Sequence, residues 1–131
     1  MKKDTAATGI DIPFETKRTV LQVAELLKDK KAEDVLVLDL GNLTSITDYF
    51  IIATVNSSTQ AKALVRDIEE YMKAHRIEAF SKNDEYESPW VLLDYNYFII
   101  HLFRQEGREY YQLEKLWSDA PVVWEDKGGM L

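Results

Sequence analysis

The chain has 131 residues, 46% of them hydrophobic, with a formal net charge of −7 and no cysteine. That is the length of one ordinary domain with enough apolar material for a core, and the missing thiols exclude disulfides, thiolate metal sites and cysteine nucleophiles. An acidic surface repels phosphate backbones, so little direct nucleic-acid binding is expected, whereas a basic protein partner is electrostatically favoured.

Residues 1–13 are small and polar and read as a flexible arm ending at Pro13. Two lysines open the chain with no apolar stretch behind them, so no signal peptide is expected. No apolar run approaches the roughly 20 residues of a membrane helix, and the expected location is cytoplasmic. From Phe14 to Lys30, Val20, Val23, Ala24 and Leu27 recur at helical spacing, and lysines gather at the C-terminal end, where cations meet the helix dipole. DVLVLDL, 34–40, is a short apolar run rich in branched residues and predicts a strand buried on both faces. LTSITDYFIIAT, 43–54, predicts a second strand, densest from Tyr49 to Thr54. Ser57 with Gln60 fits a capping box for a helix whose apolar stripe is Ala61, Leu64, Val65, Ile68 and Met72.

IEAF, 77–80, predicts a brief third strand, and 81–89 a polar loop. Trp90–Leu93 and Tyr97–Phe103 predict two strands of a hairpin turning through Asp94–Asn96, since Asp and Asn tolerate unusual backbone angles. Residues 107–118 predict a last helix with Tyr110, Leu113 and Trp117 on one side, and 122–131 a C-terminal tail with a mobile tip. The expected fold is α/β: a mixed sheet of about five strands flanked by helices, forming a single domain over 14–121.

Little in the chain suggests catalysis. The glycines form no phosphate-binding loop, no serine elbow is present, and the two histidines, His75 and His101, have no metal-ligand spacing. His101 lies in an apolar strand and reads as structural. Asp39, Asp48 and Asp94 sit in or beside strands but lack the close pairing that holds magnesium for nucleotidyl transfer. The turn before the second helix, Asn56-Ser57-Ser58, has no glycine to admit a triphosphate. No catalytic residue, metal site or cofactor is therefore expected.

Aromatic residues are more suggestive. Trp90, Tyr95 and Tyr97 cluster at the hairpin, and Trp and Tyr are frequent interface anchors. Strand alternation places Trp90, Leu92 and Asp94 on one face, and Val91, Leu93 and Tyr95 on the other. A fully buried face should not hold a lone aspartate, so the Trp90 face reads as partly open. The alternative is that Trp90 fills the core.

Three segments carry a resemblance: SITDYFIIATVNSSTQAKAL, WVLLDYNYFIIHLF and REYYQLEKLWSDAP. With TDYF at 47–50, Trp90 to Asp94, His101 and the pattern of 111–117, the chain resembles the ribosomal silencing factor family, RsfS or Iojap, from about Phe14 to Pro121. The resemblance implies a nucleotidyltransferase-like fold without that superfamily's catalytic residues. It also implies binding to the large ribosomal subunit through the conserved large-subunit ribosomal protein fourteen, on the intersubunit face, which blocks small-subunit joining and lowers translation. Some relatives assist large-subunit assembly instead, and family members dimerise. On this reading the partner-binding residues are Trp90 and Leu92 as apolar anchors and Asp94 as a salt-bridge acceptor. Tyr95 and Tyr97 would frame the contact, with Asp48 as a further candidate. Asn96 and Val55 stand where the family favours glycine, and Tyr97 where it favours an acid.

Overall fold

The structure is a computed structural model that describes residues 12–83 and 85–126, with side chains from Thr16 onward. The arm expected over 1–13 lies outside the described residues except for its last two positions, and so does the tip of the tail, 127–131. The chain runs α1 (Ile12–Asp29), β1 (Glu33–Asp39), β2 (Tyr49–Val55), α2 (Ser58–Ala74) and β3 (Ser81–Asn83). It continues through β4 (Trp90–Asp94), β5 (Phe98–Arg104), α3 (Gln105–Tyr111), α4 (Leu113–Leu116) and β6 (Val122–Asp126).

The strands form one mixed sheet in the order β3-β4-β5-β2-β1-β6. β2 and β5 pair in parallel from Tyr49↔Phe98 to Val55↔Arg104, and every other pairing is antiparallel. Helices α1 and α2 cover one face. Their stripes, including Val20, Leu27, Leu64 and Ile68, pack on Val35, Val37, Ile51, Ala53, Val91, Leu93 and Ile100. The opposite face carries a smaller core of Leu38, Leu40, Phe50, Ile52, Ile99, Phe103 and Leu113.

Local chemistry sets the element ends. The Ser57 hydroxyl accepts from the Gln60 N–H at 3.0 Å, and the Gln60 side chain accepts from the Asn56 N–H at 2.8 Å. This is a capping box whose return bond reaches one residue further back than usual. α2 closes in a Schellman turn: Arg76 takes φ 62°, its N–H reaches the Lys73 carbonyl, and the Ile77 N–H reaches the Met72 carbonyl. That turn claims Ile77, which packs on the helix-side core, so the third strand forms over Ser81–Asn83 and not over 77–80.

Two further expectations are corrected. The sheet has six strands, because residues 122–126, read as tail, pair with the otherwise free edge of β1. The last helix is two, because Gln112 adopts a left-handed conformation with φ 45°. That break shifts the helical phase, so Leu113 is buried while Tyr110 is 80% exposed.

Arg108 anchors α3 across the sheet end. Its guanidinium donates to the Thr54 hydroxyl at 2.7 Å, the Asp34 carbonyl at 3.0 Å and the Glu114 carboxylate at 2.9 Å. Gly107 lets the helix approach closely: a Cβ there would lie 2.6 Å from the Pro89 carbonyl oxygen. Gly107→Ala should therefore destabilise the domain by about 1–2 kcal/mol, overpacking outweighing the roughly 1 kcal/mol gain in helix propensity. A lowered denaturant midpoint at unchanged slope is the expected result.

Candidate functional site: the open sheet face around Trp90

Three cross-strand rows cross the face opposite α1 and α2. Asp94 pairs with Ile99, which pairs with Phe50 and then Leu38. Leu92 pairs with His101, then Ile52 and Leu36, and Trp90 with Phe103 and then Thr54. The segment through α3 and α4 roofs the β2 and β1 side of these rows: Arg108 reaches Thr54, and Trp117 meets Phe50 edge-on at 5.7 Å. The β4 ends stay half-buried at Trp90, Leu92 and Asp94. Beside them lies a shallow groove lined by Ser81, Lys82, Asn83, Ser88 and Tyr111 together with Trp90 and Leu92.

The Trp90 ring sits among Tyr111 at 4.7 Å, Phe103 at 5.0 Å and His101 at 5.8 Å between centroids. Its indole N–H donates to His101 Nδ1 at 3.0 Å. Accepting that bond puts the imidazole proton on Nε2. His101 is 3% exposed, with Phe50 edge-on at 4.5 Å, and its Nε2–H has no hydrogen-bond partner among the described residues. Burial without an acid beside it pushes the His101 pKa down to about 3.

The expected site residues divide between the two faces. Trp90, Leu92 and Asp94 come together on the open one, and Asp94 is also a turn former, its carboxylate accepting the Asn96 N–H at 2.7 Å. Asn96 takes φ 73°. Tyr95 is not brought to that face. Alternation turns it under the helices, where it is 4% exposed and stacked on Phe98 at 5.3 Å, and burial and then Glu69 push its pKa up to about 12. Tyr97 packs, half-buried, against the same helix-side core, so neither tyrosine frames the Trp90 face. Asp48 is buried at the start of β2, where its N–H donates to the Tyr97 carbonyl and its carbonyl accepts from Leu40. It ties the hairpin to β1 and presents little surface.

The ring that frames Trp90 is Tyr111, which opens the pattern of 111–117 but is not among the expected site residues; Tyr110 meets Tyr111 edge-on at 4.9 Å and is largely exposed. The consecutive tyrosines were visible in the sequence, but their orientation follows from the Gln112 break. The strand carboxylates do not converge. Asp39 lies across from Tyr49 on the helix side and accepts the Gly41 N–H, while Asp94 is on the other face. Among the described residues no three acidic or histidine side chains form a group that could hold a metal ion, and no helix is long and apolar enough to cross a membrane.

A histidine whose folded pKa lies below its unfolded value of 6.5 contributes stability above pH 6.5, and that contribution is lost as pH falls toward the folded pKa. Between pH 6.5 and pH 5 the cost should reach up to about 2 kcal/mol. Urea denaturation of wild type and of His101→Leu across that range should show the steeper acid loss in wild type.

The fold and this face can be set beside known proteins. The family model described as ribosomal silencing factor during starvation matches residues 13–129. The ribosomal silencing factor RsfS of Bacillus subtilis is 37% identical over 112 residues, which is 85% of this chain and 95% of that protein. A mouse protein named mitochondrial assembly of ribosomal large subunit protein 1 is 30% identical over 99 residues, 73% of this chain and 43% of its own length. The crystal structure of a Chromobacterium violaceum protein superposes with a TM-score of 0.71 at 28% identity, covering 87% of this chain and 92% of that one. The chain belongs to the ribosomal silencing factor family.

Proposed function

We propose that this chain is a cytoplasmic translation repressor that binds the large ribosomal subunit and blocks joining of the small subunit by occupying space. The partner is the one the sequence resemblance implies, large-subunit ribosomal protein fourteen. The docking site is the face of Trp90, Leu92 and Asp94, with Tyr111 added and Tyr95, Tyr97 and Asp48 acting as its support. The observation that carries this reading is a half-buried Trp and Leu beside an acid, on a strand that α3 and α4 cover only in part. An indole already seated among rings, with one edge to solvent, is the kind of anchor on which interfaces concentrate their energy. A net charge of −7 favours a basic partner. The action is steric: the fold the resemblance implies is nucleotidyltransferase-like, and on this reading the chain works without catalysis, metal or cofactor.

The mouse relative's name supports a second reading, an assembly factor for the large subunit. Both readings use the same partner, and they separate in what depletion of the protein does. Loss of repression raises small-subunit joining, whereas loss of an assembly factor lowers the yield of mature large subunits.

Co-sedimentation with purified large subunits, with small subunits then added, tests the proposal. The chain should pellet with large subunits and suppress joining. Trp90→Ala should weaken binding by about thirtyfold, as truncation of a buried anchor does, and unchanged affinity in a folded variant would refute the site. The association rate should fall as salt rises, through screening of Asp94 and of the chain's net charge of −7. Calorimetric titration with magnesium and each nucleoside triphosphate should give no saturable heat.

A further inference from the structure

Trp90 is the largest side chain on the open face, and an indole on a surface strand ordinarily samples several rotamers. Here its N–H has one acceptor, His101 Nδ1 at 3.0 Å, contributed by the neighbouring strand. The two residues are not directly opposed. Trp90 pairs with Phe103 and His101 with Leu92, so the bond runs on the diagonal of the β4–β5 ladder. His101 is itself held: Phe50 meets it edge-on at 4.5 Å, and Phe103 lies parallel to it at 6.3 Å. A buried neutral imidazole whose Nε2–H finds no partner among the described residues is costly, and leucine or phenylalanine would fill such an apolar position without that cost. What histidine adds there is a fixed acceptor aimed at the indole.

We propose that His101 is a positioning residue for the docking face: by accepting the Trp90 indole N–H it fixes the anchor's rotamer before any partner arrives. This rests on the docking role assigned to Trp90 above. A rotamer fixed in the free protein need not be ordered at the moment of binding, so the bond contributes to affinity without touching the partner. The imidazole must stay the neutral Nε2–H tautomer, because a protonated ring has no acceptor nitrogen.

The first test needs no variant. Nitrogen-15 spectra of the full chain should show His101 as the neutral Nε2–H tautomer, untitrated from pH 8 to pH 5. Its Trp90 indole proton should be shifted downfield and protected from exchange. An Nδ1–H tautomer, or titration near pH 6.5, would overturn the proposal. The second test compares His101→Leu with His101→Asn, two side chains of similar shape of which only asparagine carries an acceptor. His101→Leu should release the indole resonance and weaken binding to purified large subunits by about fivefold, the worth of one such hydrogen bond. His101→Asn should restore most of the affinity, and neither change should matter in a Trp90→Phe background. A folded His101→Leu that binds like wild type, or an equal loss in the Trp90→Phe background, would refute positioning through Trp90. Normal binding by Trp90→Ala would instead remove the docking role, and the indole spectrum, read without ribosomes, would still report on the lock.

Discussion

Parallel pairing of β2 with β5 places two strands side by side that are buried on both faces, and it cannot be made by a tight turn. The chain must leave β2, cross the sheet as α2, and return through the β3–β4 hairpin before β5 can form. That detour carries α2 to one face, where it meets α1. It also sends β4 in beside β5, outside the reach of either long helix on the opposite side. Apolar residues in both phases of β2 and β5 answer to this constraint: Ile51 and Ile100 face the helices, while Ile52 and Phe103 face away.

The unequal cover of the two faces is what leaves a surface to use. A pair of long amphipathic helices suffices for one face. The other has, among the described residues, only α3 and α4, whose course is set by three hydrogen bonds from Arg108 and by the absence of a side chain at Gly107. They roof β2 and β1 and stop at Tyr111. The β4 residues beyond that ring remain half-covered, rigidly backed by β5 and facing outward. The residues that stabilise the sheet and those of the proposed docking face thus share the same rows, each running from a core position to a surface one.

Much of this was legible in the residues. The helical stripes, the Ser57 cap and the alternation of β4 follow from periods and local bonds that do not depend on the rest of the fold. Alternation had already set Tyr95 opposite Trp90. Grouping it with Trp90 followed closeness along the chain, and in a strand closeness by one residue means the other side of the sheet. β6 was hidden because VVWED is short and becomes a strand only when β1 offers an edge. The Gln112 break carries no glycine or asparagine to announce it, and with it went the orientation of Tyr110 and Tyr111. The Trp90–His101 bond depends on register. A turn centred on Asp94–Asn96 pairs Trp90 with a different residue than the observed one, in which the Tyr95 N–H reaches the Phe98 carbonyl.

At its far side the sheet ends in β3, three residues long and exposed throughout. Lys82, at its middle, is held by Glu69 of α2 at 2.7 Å. An unpaired sheet edge is a template on which another chain can add a strand, and proteins blunt such edges with short strands and lysines. Both devices are present at this edge, so backbone pairing with another chain is discouraged there. A strand only three residues long, with its central lysine paired to α2, gives a second chain little backbone to extend.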